Sequence, residues 1–401
     1  MGQQVHCLVC KYGLCFDLFV ANGLIDMYCK CGSLSYARKM FDEMPERDVV
    51  SWTTMIAGYS NVGKVQESRV LFERMGLEGV EGNEFTWSAL ITGYARVGDC
   101  DEAFSLFRKM SEEGLVPDVA TWNAMISGFV QSREMVKCVE LFRDMLFAGV
   151  KPNPGTITGL LPAVGSMGKA NSGKEIHGLI YRTNMYNNVF VASALIDMYS
   201  KCGCVKHARN VFDTVSFKNV ASWNAMIGCY GKHGMVNAAF ELLDKMEDEN
   251  VKPNQVTLTC VLASCSHGGM VNKGLTFFKL MRESQGVEIR DEHYGCVIDM
   301  LCRSGKIEEA YDLVHELDTK VTDSMVGSFL NGCVSYNRPD LAKKVAVALM
   351  KMKTNKPGGF VTLSNVYAGE GEWAKVEMLR EVMKVQGVQK LPGFSSLSND
   401  I

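Results

Sequence analysis

The sequence predicts an all-α protein, a solenoid of helix-turn-helix repeats, and three observations carry that expectation. Trp52, Trp87 and Trp122 stand 35 residues apart, and Pro117 and Pro152 repeat the interval, a period in the range of helical arrays. Trp223 and Pro253 each follow an earlier mark by 101 residues, two intervals of 35 and one of 31, so one repeat in that gap is four residues shorter. The short form is visible directly: residues 189–219, VFVASALIDMYSKCGCVKHARNVFDTVSFKN, nearly copy residues 18–48, LFVANGLIDMYCKCGSLSYARKMFDEMPERD.

Laid out on these marks, the chain holds nine complete repeats, at 18–48, 49–83, 84–118, 119–153, 154–188, 189–219, 220–254, 255–290 and 291–322, after a half repeat at 1–17. Within repeat 49–83, apolar residues recur at helical spacing at Trp52, Met55, Ile56 and Tyr59, stop at Gly63, and resume at Val65, Val70, Leu71 and Met75. Each repeat therefore reads as a helical hairpin. Gly98, Gly203, Gly234 and Gly305 fall at the equivalent break, where a left-handed helix end favours a residue without Cβ. One hairpin cannot bury its apolar face alone, so neighbours are expected to stack with their first helices along one side.

Composition narrows the class. The chain has 401 residues, 45 acidic against 42 basic, and a formal net charge of -3, which excludes a uniformly basic nucleic-acid binder. Hydrophobic residues at 47% and charged residues at 22% belong to a folded chain rather than a disordered one. Fifteen cysteines, an odd number in a long chain without a secretory leader, are expected to be free thiols in a reducing compartment. No apolar run reaches the roughly 18 residues needed to cross a bilayer, so no membrane contact is expected. Residues 1–17 lack the character of a transit leader, which puts any organelle address outside this chain.

Two positions interrupt the apolar pattern once per repeat. The fifth residue is small and polar: Asn22, Thr53, Ser88, Asn123, Thr158, Ser193 and Asn224. The closing residue is an amide or carboxylate: Asp48, Asn83, Asp118, Asn153, Asn188, Asn219 and Asn254. Such short side chains can offer defined donors and acceptors to the edge of an unstacked base. An Asn or Asp just before a helix is also a natural N-cap, so capping and recognition both stand open for the closing residue taken alone. The fifth residue, expected to point into the groove, is harder to assign to structure, because a polar group on a buried face costs stability.

Two further sets complete the candidates. The thirteenth residue, at the end of the first helix, is basic in Lys30, Arg96, Lys201, Lys232 and Arg303 and acidic in none of the nine, a weakly basic stripe suited to phosphates. Helix-dipole complementarity explains those cations about as well. The second residue is apolar in Phe19, Val50, Phe85, Phe190 and Val256 and could wedge between bases, although packing between hairpins is the alternative.

The segments WNAMISGF (122–129), ALIDMYSKCG (194–203), GKEIHG (173–178) and GVKPN (149–153) resemble the pentatricopeptide repeat family, specifically the plant class that mixes long, standard and short repeats. Residues 323–397, with LSNVY (363–367), Trp373, Arg380 and KLPGFS (390–395), look like the C-terminal extension, or E motifs, of that class, leaving 398–401 as a tail. Where the family shows Cys-Ser-Trp after Pro-Gly, this chain has Phe394, Ser395 and Ser396.

The resemblance implies a right-handed superhelical α-solenoid that binds single-stranded organellar RNA, in mitochondrion or chloroplast with the mitochondrion favoured. For members with this extension it implies choosing a cytidine for conversion to uridine. By the family's pairing rule, Asn22 with Asp48 implies U, Thr53 with Asn83 implies A, and Ser88 with Asp118 implies G. Asn123 with Asn153 and Asn224 with Asn254 imply a pyrimidine, and Ser193 with Asn219 implies A. Thr158 with Asn188 is weaker, while Thr259 with Arg290 and Gly295 with Thr322 fit no rule. The implied target is 5′-U-A-G-Y-n-A-Y-n-n.

Zinc-dependent deamination needs His-x-Glu and Pro-Cys-x-x-Cys, and neither stands in this chain. Cys7 and Cys10, Cys29 and Cys31, and Cys202 and Cys204 read as packing, so no metal, cofactor or catalytic residue is expected and a deaminase must act in trans. Splicing or transcript stability are alternative outcomes of RNA binding. A tetratricopeptide-type protein scaffold is the rival from another class, and the restricted fifth and closing pair separates them in favour of RNA.

Overall fold

The computed structural model describes residues 2–15, 17–283, 288–317, 321–351 and 357–388; the sequence signals at 390–395 and 398–401 lie outside the described residues. Every regular element among the described residues is a helix. First helices begin at Leu18, Val49, Glu84, Val119, Pro154, Val189, Val220, Gln255 and Asp291, the opening residues of the repeats laid out above. The short period comes out of the second helix: Leu34–Glu43 and Val205–Thr214 have 10 residues where Val65–Leu77 has 13, while the first helices Leu18–Lys30 and Val49–Asn61 both keep 13. The first-helix layer is thus kept in step while the second helix and its turn absorb the difference.

Helix ends follow from local chemistry. Gly98 closes Glu84–Val97 in the left-handed region at φ 86°. Repeat 119–153 has Arg133 at the same place, at φ 60°, a conformation that costs a side-chain-bearing residue about 1 kcal/mol.

The chain forms two compact units, Met1–His207 and Ala208–Ile401. Inside each, a first helix packs on the first helix of the next repeat, and a second helix lies against its own first helix and the following one. Two layers result. The seams between repeats are closed by aromatic pairs: Phe41 with Trp52, Phe72 with Trp87 and Phe107 with Trp122 meet edge-on at 4.8, 4.8 and 4.7 Å in the first unit, and Phe212 with Trp223 at 5.0 Å in the second. All four indoles are buried. Each such pair contributes about 0.5–1.5 kcal/mol beyond its buried area. First helices also approach at backbone distance: a Cβ on Gly93 would stand 2.7 Å from that of Ser60.

Helices Asp323–Ser335, Pro339–Lys351, Gly358–Gly369 and Trp373–Val385 continue the hairpin pattern into the extension. The Tyr336 hydroxyl donates to the Arg303 carbonyl at 2.8 Å, and Lys343 pairs with Glu370 and Glu372. No helix of the described residues is long and apolar enough to cross a membrane.

The expectation of free thiols is corrected at one place. Cys10 and Cys15 are joined as a disulfide, with Cα atoms 5.2 Å apart, because the chain turns back through Gly13 at φ 70° after helix Gly2–Lys11. The other 13 described cysteines are thiols outside any disulfide. Burial pushes the Cys138, Cys302 and Cys333 thiols up to about 12, which makes them packing residues rather than nucleophiles.

Candidate nucleic-acid interface

The closing residue of each repeat is the N-cap of the next first helix. Its backbone is extended, and its Oδ1 accepts the amide three residues on: Ser51 to Asp48 at 2.8 Å, Thr86 to Asn83 at 3.0 Å, Thr121 to Asp118 at 2.8 Å and Thr156 to Asn153 at 2.9 Å. Val191 to Asn188, Ser222 to Asn219 and Thr257 to Asn254 follow at 3.1, 3.0 and 3.0 Å. Capping and recognition, opposed in the sequence, are therefore compatible. The bonds at Asn83, Asn153, Asn254 and Asp118 all fall on Oδ1, which leaves the second terminal atom, a donor in Asn and an acceptor in Asp, pointing away from the cap.

The fifth residue is wired to that cap. Asn22, Asn123 and Asn224 donate Nδ2–H to the closing Oδ1 of Asp48, Asn153 and Asn254 at 3.3, 3.2 and 3.1 Å. Thr53 and Ser88 have shorter side chains and reach it through a hydroxyl: Thr53 meets Thr86 at 2.7 Å, and Thr121 donates to Ser88 at 2.6 Å. Thr86 and Thr121 in turn touch Asn83 and Asp118 at 3.0 and 2.6 Å. This buried hydroxyl at the third position (Ser51, Thr86, Thr121, Thr156, Ser222, Thr257) is the functional residue that sequence reasoning missed. Its signal was there as Asn or Asp followed three residues later by Ser or Thr, a capping-box spacing.

Some positions depart from expectation. The fifth residues do not project freely into a groove: most are half-buried, and Asn224 is buried, because the next helix start crowds them. Asn22 Oδ1 is buried without a partner, since the Ser51 hydroxyl turns to Asp48 instead. Thr158 bonds the Gly155 carbonyl at 3.1 Å rather than Asn188, and Ser193 the Val189 carbonyl at 2.8 Å. Ser193 and Asn219 fall in different compact units. Arg290 cannot accept and makes no side-chain cap; the buried His293 ring supplies only the return contact, taking the Arg290 amide on Nδ1 at 2.8 Å and facing the Gln255 carbonyl with Nε2 at 3.0 Å. That substitution gives a physical reason why Thr259 with Arg290 fits no pairing.

Charge at Asp48 is set by the same wiring. Burial works against its carboxylate, but the Ser51 amide and hydroxyl and the Asn22 amide together hold its pKa below the ordinary 3.8.

The second residues answer the packing alternative. Phe19 is 86% exposed, Phe85 71%, Phe190 69%, Val50 53% and Val256 52%, so their side chains do not sit between hairpins. Beside Thr53 and Asn83 an open cavity of about 540 Å³ is lined by Lys30, Val50, Thr53, Asn83 and Phe85, which brings one cation, one polar pair and two apolar faces together.

The basic stripe is weaker than its composition suggests. Lys30, Lys201 and Arg303 pair with Asp26, Asp197 and Asp299 at 2.7, 2.9 and 2.8 Å, one helical turn earlier on the same helix. Arg96 donates to the Asn61 carbonyl and side-chain oxygen, both at 3.2 Å. The pairing residue is the Asp of LIDMY and VIDML, at the i,i+4 spacing that favours it.

Residues 47–96, 117–165 and 218–267 match the PPR repeat family profile, and residues 19–49, 85–115, 190–218, 256–285 and 292–320 match the PPR repeat profile. The chain belongs to the pentatricopeptide repeat family. Residues 336–398 match the E motif of such proteins. A pentatricopeptide repeat-containing protein of Arabidopsis thaliana is 35% identical over 397 residues, 99% of this chain and 58% of its own length. Two more from that plant, one named chloroplastic and one mitochondrial, are 35% and 31% identical over 98% and 99% of this chain and 38% and 55% of theirs. The chain therefore spans 38–58% of the length of these relatives. The solved structure of the pentatricopeptide repeat protein PPR10 in complex with an 18-nt psaJ RNA element shares the fold, with a TM-score of 0.63 at 16% identity over 92% of this chain and 61% of that one.

Proposed function

We propose that this pentatricopeptide repeat chain binds single-stranded organellar RNA in a sequence-specific way, one base per repeat across 18–322. The observation that carries this reading is the cap that spends one terminal atom on the helix and presents the other beside an exposed apolar face, as at Asn83 with Val50 and Phe85. Asn22, Thr53, Ser88, Asn123, Thr158, Ser193 and Asn224, with their closing partners, read base edges. Phe19, Val50, Phe85, Phe190 and Val256 supply stacking faces. Lys30, Arg96, Lys201, Lys232 and Arg303 meet phosphates when RNA competes for their present partners. The complex of PPR10 with RNA supports the ligand class.

The E motif supports a finer reading: a site-recognition factor for cytidine-to-uridine editing whose extension over 323–397 recruits a deaminase in trans, in the mitochondrion or chloroplast. Competition binding with 5′-U-A-G-C-n-A-C-n-n and a scramble of the same bases tests the first claim, and equal affinity for both overturns it. Transcript sequencing in plants lacking the protein tests the second: a lost edit a few nucleotides downstream of the target supports it, and an intact editing pattern refutes it.

A further inference from the structure

Helix Gly2–Lys11 and the turn after it gather three metal-ligating side chains: a ring nitrogen of His6 and the sulfurs of Cys10 and Cys15, all within 4.8 Å of one another. They line an open cavity together with Cys7, Tyr28 and Tyr36.

The chain contains a second copy of this corner 171 residues later, His6 to His177 and Tyr28 to Tyr199, which serves as an internal control. His177 Nδ1 stands 2.9 Å from the Tyr199 hydroxyl, as His6 Nδ1 stands 2.9 Å from that of Tyr28. Tyr199 stacks on His207 where Tyr28 stacks on Tyr36. At the places of Cys10 and Cys15, however, the later copy has Tyr181 and Tyr186, rings stacked at 5.5 Å, and at the place of Cys7 it has Gly178. The fold of the corner does not require sulfur. Three thiols have been placed where the other copy manages without any, two of them converging on the shared histidine.

We propose that, with its sulfurs reduced, the corner holds a zinc-class divalent ion through His6, Cys10 and Cys15, with Cys7 or a water as fourth ligand. A tetrahedral ion bound about 2.3 Å from sulfur and about 2.0 Å from nitrogen sets its ligands roughly 3.5 Å apart, within the observed span. The Tyr28 hydroxyl, 2.9 Å from His6 Nδ1, can accept an Nδ1–H, and in that tautomer the Nε2 lone pair is left for the ion, an outer contact of the kind that orients ligating histidines. The Cys10–Cys15 disulfide is the oxidised, metal-free form of the same site. Its formation from the two zinc-bound thiolates passes two electrons to a low-molecular-weight disulfide such as oxidised glutathione, which leaves as two thiolates, while zinc departs with its charge unchanged.

The test uses the full chain, reduced with a phosphine, stripped with a chelator and titrated with cobalt(II), then zinc(II). The expected result is one equivalent of cobalt with a thiolate-to-cobalt charge-transfer band, bleached by zinc, and zinc release on adding oxidised glutathione. Cys10→Tyr with Cys15→Tyr, which installs the residues of the later copy, should keep the circular dichroism spectrum and lose at least about tenfold in zinc affinity. Cys202→Ser with Cys204→Ser should lose nothing. A reduced wild-type chain without the band, or a tyrosine variant that keeps it, overturns the proposal.

Discussion

Replacing Asn83 by aspartate separates the two jobs its side chain performs. Oδ1 accepts both the Thr86 amide and the Thr86 hydroxyl at 3.0 Å, and a carboxylate oxygen accepts them equally well. The helix start keeps its cap and gains about 0.3–1 kcal/mol from a negative charge at its N-terminus, so the melt should stay level or rise slightly. On the RNA side a donor becomes an acceptor, and the pair comes to match Ser88 with Asp118, whose hydroxyl relay is the same. Preference at the second target position should move from A to G. Reversing one direct base contact is worth about 1–3 kcal/mol, or roughly a 5- to 150-fold change in the ratio of affinities. Anisotropy competition between RNAs differing only at that base, run beside a thermal melt, reads both quantities. An unchanged ratio with an unchanged melt would refute the division of labour, and a large drop in melting temperature would refute the cap geometry.

Other outcomes can be stated briefly. Phe85→Ala should leave stability within about 0.5 kcal/mol, since the ring is exposed, yet weaken RNA binding by about 1–3 kcal/mol in a filter assay. Asp26→Asn releases Lys30 and should steepen the dependence of log affinity on log salt by about 0.7; an unchanged slope would show that Lys30 meets no phosphate. Arg133→Gly relieves a left-handed arginine at some cost in chain entropy and should add about 0.5 kcal/mol in urea unfolding. Because the Asp48 pKa is lowered on folding, its contribution is complete above the unfolded value of 3.8 and is lost as pH falls through the folded one. Asp48→Asn should therefore flatten the acid side of the stability profile below about pH 4.

The frame of the fold was legible because a large buried ring recurs at one position in four of the nine repeats: Trp52, Trp87, Trp122 and Trp223 fix the register, and the helix starts fall on it. The polar pairs were legible as positions but not as geometry. Whether Asn83 caps or recognises depends on which of its two terminal atoms is occupied, and composition carries no information about that. The pairing of Lys30 with Asp26 was readable from i,i+4 spacing, since LIDMYCK carries both on one face of one helix. The ring of His293 turned back to the Arg290 amide and the turn that joins Cys10 to Cys15 depend on local backbone paths that no period predicts.

The edge-on rings at the seams have a mechanical consequence. Hairpins that hold only their immediate neighbours form a stack whose compliance is the sum of its joints, and the joints here are unequal. Between 119–153 and 154–188 the indole gives way to Ile157, so that joint lacks the contact closing the three before it. Amides on either side of Ile157 should exchange with deuterium ahead of those flanking Trp87.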